Sequence, residues 1–386
     1  MLPNNRRTPY EKAVIASTKP PLPHTPPPNI KWENSITPEQ LRYNYLQSAL
    51  KHINTILDDT YTLDKQIDAR RNDSIFIYKS STNLTKKIII KQGNLAIGKE
   101  AQNVLALSKC ENIIKLISVY ENGMPINIDI DTKLNSTAWY IICYKYVEGG
   151  DLYDFISNKK NFDTKTENEI HTIIISIFIK IIHAIVCMHD NLMFHFDIKP
   201  YNILYNDGDI IIIDLESSRR AKNDSRTHFL YNDYVASTLH YRLPIIRNKN
   251  GSVNGLHQDG YSIGIMLNMF IDAIKYYRPD IQHLDSYKTL SSSLRNDDFE
   301  TYKYKDGLRP VITELCTLAK TLNVKLDKDI IEKYCNNKNN MSSATQPAAN
   351  QPGGARLNKK RKTYKRHRHQ RNALTHYKKR TYCLKV

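Results

Sequence analysis

The stretch HFDIKPYNIL, residues 195–204, followed by DIIIIDLE, residues 209–216, decides how this sequence is read. A histidine, an aspartate, a lysine two residues later and an asparagine five residues after the aspartate stand at fixed offsets. The run NILYNDGDIIIID reads as a hairpin turning at Asp207-Gly208, because an Asp-Gly turn matches the twist of two antiparallel strands. The hairpin places a second aspartate, Asp214, at the tip of an apolar strand. Phe196 directly follows the histidine.

Phosphoryl transfer needs this set of parts. It asks for a metal clamp on phosphates, a cation near the transferred group and a carboxylate that orients and deprotonates the attacking hydroxyl. Asp197 suits the carboxylate role and Lys199 can reach a γ-phosphate. Asn202 and Asp214 supply the hard oxygen ligands that Mg²⁺ prefers.

The segment resembles the catalytic loop of the eukaryotic-type Ser/Thr protein kinase family, H-R-D-x-K-P-x-N, and DLE at 214–216 sits where that family carries D-F-G. YKSSTNLTKKIIIK is similar to the hairpin whose last strand ends in the ATP-binding lysine, which implies Lys91. KEAQNVLALSKCENIIKL resembles the helix that follows, with Glu100 as the ion-pair partner of Lys91. YKYVEGGDLYDFI is similar to the hinge. Tyr144 then occupies the gatekeeper position, Lys145 and Tyr146 join the ATP-binding set, and Asp151 meets the ribose. STLHYRLP resembles the segment before A-P-E, and DGYSIG resembles D-x-W-S-x-G, with Asp259 bracing the catalytic loop beside His195. The resemblance runs over roughly residues 60–335 and implies ATP and Mg²⁺ as cofactors and a protein substrate. Within the resemblance, Lys199 and DGYSIG favour a protein over a small-molecule acceptor, and Lys199 also favours Ser/Thr over Tyr.

The pattern also departs from the family. No glycine precedes Gly93, so the phosphate-covering G-x-G-x-x-G loop is replaced by ARRNDSIF, which reads either as a source of positive charge through Arg70 or Arg71 or as an exposed turn that weakens the nucleotide lid. Phe196 stands where an arginine usually receives an activation-loop phosphate, which points to constitutive activity or another form of control. Glu216 replaces a glycine, and Ile245 replaces the glutamate of A-P-E. Ser217, Ser218, Ser225 and Thr227 are candidates for autophosphorylation. These losses leave a second reading open: a weak or inactive pseudokinase acting as a scaffold or nucleic-acid-binding protein.

Short strands followed by helices mean an α+β, two-lobed fold with a β-rich first lobe and a larger helical second lobe. Residues 1–36 read as a Pro-rich, disordered arm, whose run TKPPLPHTPPP favours extended backbone; a flexible arm is expected over a docking site for a proline-reading domain. Residues 37–59 read as a helix, with Thr37 as cap, Pro38 in the first turn and Gln40 completing a capping box. Thr166 and Glu169 form a second capping box. The kinase-like domain spans 60–335, a linker 336–355 and a basic tail 356–386. That tail holds thirteen Lys or Arg and no Asp or Glu, which is most of the formal charge of +17. It interleaves tyrosines with the cations and contains KKRK and KKR, which points to nuclear targeting, a nucleic acid or another polyanion. The apolar run Ile173–Met188 is read as a buried helix, too short to span a membrane. Six cysteines without metal-like spacing read as reduced thiols. The expected setting is intracellular, in the nucleus, the cytoplasm or both.

Overall fold

The computed structural model describes residues 36–69, 74–221, 228–230, 238–244 and 252–336. All of them fall in one compact unit. The Pro-rich arm, Arg70 and Arg71, Ser225, Thr227, Ile245, most of the linker and the basic tail lie outside the described residues.

The chain enters through helix α1 (Pro38–Leu57). Thr37 accepts a hydrogen bond from the Gln40 amide, and Pro38 fills the first turn. The capping box is only half made, because the Gln40 side chain donates to Asn44 instead. Leu46, Ala49, Leu50 and Ile53 recur at helical spacing and are buried.

The sheet beneath α1 consists of β1 (Tyr61–Ala69), β2 (Ser74–Ser80), β3 (Lys87–Gly93), β4 (Leu116–Glu121), β5 (Met124–Pro125) and β6 (Tyr140–Lys145). Its order is β1-β2-β3-β6-β4-β5, and every pairing is antiparallel. Strand periodicity divides its side chains between two faces. Ile88, Ile90, Ile141 and Cys143 pack under α1. Tyr140, Ile142 and Tyr144 face the main core with helix α2 (Leu95–Ala106), which carries Glu100. The sheet is therefore covered by one helix on each face, and the strand carrying Lys91 is central.

The second lobe follows β7 (Gly150–Asp151), α3 (Leu152–Ser157) and α4 (Lys160–Asp163). Helix α5 (Glu167–Asp190) opens with the expected capping box of Thr166 and Glu169. At 24 residues it is long and apolar enough to cross a membrane, unlike the shorter run read from the sequence, but 72% of its most apolar window is buried in the fold. After β8 (Met193–Phe194), β9 (Ile203–Asn206) and β10 (Asp209–Ile212) form the expected hairpin. Asp207 and Gly208 both have positive φ, as its two-residue turn requires. Then come β11 (Arg219–Arg220), β12 (His228–Leu230), β13 (Ser252–Asn254), α6 (Gly255–Tyr277), α7 (Leu284–Leu294), α8 (Arg309–Thr321) and α9 (Lys328–Ile330).

The thiol reading needs correction. Cys110 is disulfide-bonded to Cys187, and Cys316 to Cys335, while Cys143 is free and buried. The first pair is 77 residues apart in sequence, so spacing gives no sign of it. The fold brings the segment after α2 against α5, with Cα atoms 5.8 Å apart.

Candidate active site

Two clusters of polar side chains face each other at the junction of the lobes. In the first, Lys91 at the end of β3 donates to Glu100 of α2 at 2.6 Å and to Asp214 at 3.1 Å. The strand ends at Gly93 and Asn94 caps the helix at once, which explains how a lysine and glutamate nine residues apart can meet. Glu216 lies 3.7 Å from the same ammonium. Burial alone would lower the pKa of Lys91, but Glu100, Asp214 and Glu216 together hold it above the ordinary lysine value. Burial likewise works to raise the pKa of Asp214, and Lys91, His195 and Lys199 more than offset it, so its carboxyl titrates below the usual range.

The second cluster is the loop after β8. Asp197 is almost fully buried. One carboxylate oxygen accepts from the Thr238 amide at 2.7 Å. The other accepts from Lys199 at 2.7 Å and from Asn202 at 3.2 Å. Lys199 also donates to the Thr238 hydroxyl at 2.9 Å. Asn202 spends its amide nitrogen on Asp197, whose backbone carbonyl accepts from it at 2.9 Å. Its side-chain oxygen is thereby kept for another partner.

Asp259, fully buried near the start of α6, holds this loop in place. Its two oxygens accept the backbone amides of His195 at 2.9 Å and Phe196 at 2.8 Å. The His195 ring bridges onward: Nδ1 accepts from the Asp197 amide at 3.2 Å, which leaves Nε2–H to donate to the Ile213 carbonyl at 3.3 Å. This links the catalytic loop to the residue before Asp214. Asp214 itself has a left-handed backbone, φ 62°, at the turn that leaves β10.

The hinge residues occupy the end of β6 and the turn after it. Lys145 is exposed, and Tyr146 sits under the Lys87 ammonium at 5.5 Å. Asp151 caps α3 by accepting the Asp154 amide at 2.8 Å, and burial raises its pKa. Lys91, Glu100 and Asp214 thus come together, as do Asp197, Lys199 and Asn202, with His195 and Asp259 behind them. Ser218 is buried and so is closed to modification in this state, contrary to its reading as an autophosphorylation candidate.

Sequence reasoning missed two participants. Thr238 lies inside the quoted STLHYRLP, and its place in that segment was the available signal. Tyr144 was read only as a gatekeeper, yet its hydroxyl donates to Glu100 at 3.0 Å.

A two-lobed α+β fold with a lysine–glutamate pair above an Asp-x-Lys-x-x-Asn loop defines a phosphotransferase of the protein kinase class. Residues 66–333 match the protein kinase domain family, and the chain belongs to it. Over 219 residues it is 29% identical to a protein of Acanthamoeba polyphaga mimivirus named as a serine/threonine-protein kinase; the match spans 56% of this chain and 73% of that one. It is 27% identical over 236 residues to the serine/threonine-protein kinase pXi of Dictyostelium discoideum, covering 57% of this chain but 30% of the relative. Among solved structures, the kinase PK-1 of Cydia pomonella granulovirus aligns with a TM-score of 0.49 at 18% identity, over 69% of this chain and 99% of the other. The domain is that of the ATP-dependent serine/threonine protein kinases.

Proposed function

We propose that this protein transfers the γ-phosphoryl group of ATP to serine or threonine hydroxyls of a protein substrate. Asp197 orients the hydroxyl and takes its proton. Lys199 bonds both Asp197 and Thr238, so its ammonium is held beside the position of the transferred group. Lys91, fixed by Glu100, meets the α- and β-phosphates. Lys145 and Tyr146 border the adenine and Asp151 the ribose. The donor set fits Mg²⁺: the Asn202 side-chain oxygen and the Asp214 carboxylate are hard oxygens, and carboxylate oxygens of Glu100, Asp214 and Glu216 lie within 4.8 Å of one another. Asn202 and Asp214 would hold the ion, which when bound neutralises phosphate charge. Glu100 is already committed to Lys91 and Tyr144.

The observation that carries this reading is the complete hydrogen-bond set around Asp197, in which Lys199, Asn202 and Thr238 fix both carboxylate oxygens. The test is transfer from labelled ATP with Mg²⁺ to a generic basic protein, with Asp197→Asn alongside. Transfer should fall by about a hundred-fold or more in the variant. No transfer by the wild type, with weak nucleotide binding, would favour the pseudokinase reading that the sequence without glycine before Gly93 keeps alive.

We further propose that the 356–386 tail binds a polyanion or serves nuclear import, on the strength of its thirteen cations, and that the protein works in the nucleus or cytoplasm. The two disulfides weigh on the other side, since such bonds persist where thiol buffers are weak.

A further inference from the structure

We propose that Tyr144 and Asn103 are positioning residues whose uncharged donors, together with the Lys91 ammonium, hold helix α2 inward. This rests on the kinase reading above.

Three carboxylates compete for one ammonium. Lys91 has Glu100 at 2.6 Å, Asp214 at 3.1 Å and Glu216 at 3.7 Å. Only Glu100 is deeply buried, with 2% of its side chain exposed. A buried carboxylate needs donors for both oxygens. Lys91 serves Oε2, and the Tyr144 hydroxyl serves Oε1 at 3.0 Å. The tyrosine is itself buried, on a strand paired on both sides, opposite Ile89 of β3 and Leu116 of β4. Its donor is therefore rigid, and it decides which carboxylate keeps Lys91.

One turn further along the helix, Asn103 acts on the other part of the site. Its amide nitrogen donates to the Leu215 carbonyl at 2.9 Å and the Ser218 carbonyl at 3.3 Å, the residues that follow Asp214. The helix that carries Glu100 is thus tied to the segment that carries Asp214. Gln102 adds bonds to the carbonyls of Asp129 and Thr132, at 2.7 and 2.8 Å. None of these donors carries a charge. Phe196 completes the picture: where a cation would await a phosphate, this chain has a buried ring packed on Phe229 at 5.0 Å.

The test uses the full chain with Tyr144→Phe, which removes the hydroxyl and keeps the ring, and Asn103→Leu. Steady-state kinetics in ATP and hydrogen exchange at residues 95–106 are read together. The expected result is a drop in kcat/KM of about ten-fold in Tyr144→Phe, the cost of one buried acceptor left unsatisfied. Exchange of the helix amides should be faster in both variants, with exchange in α5 and α6 unchanged. Values of kcat/KM within about two-fold of wild type overturn the positioning role, even if exchange quickens, because the bonds would then be structural only. Unchanged exchange overturns the clamp itself. If the wild type transfers no phosphate, the kinase reading has failed separately, and the exchange of Tyr144→Phe still decides whether the hydroxyl holds the helix.

Discussion

Phe196 has a left-handed backbone, with φ 65°, and Asp259 explains why the residue tolerates it. The two oxygens of that aspartate take the amides of His195 and Phe196, which turns the backbone and swings the ring inward. There it joins Phe194, Leu243, Val253 and Tyr261 in a small core of its own, with the Phe229 ring in a T-shaped contact at 5.0 Å. Placing the family's arginine here would bury a cation among these rings. Phe196→Arg should therefore destabilise the fold by roughly 3 kcal/mol or more, while Phe196→Leu costs far less. Equilibrium unfolding in urea checks this; an arginine variant as stable as wild type would mean that the pocket opens to water.

Helix α6 shows how one element serves both the core and the site. Its sequence DGYSIG supplies Asp259 to the loop, and four residues after Gly260 it supplies Gly264 to the packing. A Cβ on Gly264 would meet Arg295 Cγ at 2.7 Å, Leu294 Cβ at 2.8 Å and the Ser291 carbonyl at 2.9 Å. The Ser291 hydroxyl donates to the Gly264 carbonyl at 2.8 Å, so α7 approaches α6 as closely as backbone allows. Gly264→Ala gains helix propensity but pushes the two helices apart. A net loss of about 1–3 kcal/mol is expected, measured as a lower midpoint in thermal or urea unfolding. A more stable alanine variant would show that α7 can shift freely.

Among the described residues, three histidines give the fold a pH dependence. Burial dominates at His171, His183 and His257 and lowers the pKa of each. Glu167 at His171, Glu111 at His183 and the Asn296 carbonyl at His257 oppose it without reversing it. A histidine whose folded pKa lies below its unfolded value of about 6.5 binds its proton more readily when unfolded. The fold is then fully stable with respect to these groups above about pH 6.5 and loses stability as pH falls through that value. Melting scans from about pH 7.5 to about pH 5.5 should show Tm falling by a few degrees. A flat or rising Tm towards acid would contradict this assignment.

Much of this fold is written in local patterns. The alternation in KIIIKQG and YIICYK sorts side chains between the two faces of the sheet, and the apolar run in ENEIHTIIISIFIKIIHAIVCMHD reads as a helix, which the fold then buries. The offsets from Asp197 to Asn202 set the catalytic loop because neighbours five residues apart meet in one tight turn. Strand β1 carries no such pattern: most of its described side chains are polar and exposed, and register shifts near Leu63 and Gln66 break its alternation. The remaining decisions came from packing between distant residues. Thr238 reaches Asp197 across 41 positions, Tyr144 reaches Glu100 across 44, and Cys110 reaches Cys187 across 77. By itself the sequence determined most of the elements and the candidates for the site, because periodicity and short offsets act through the nearby chain. Only the tertiary structure decided which donor satisfies which buried carboxylate and which thiols pair, because those choices depend on where whole elements come to rest.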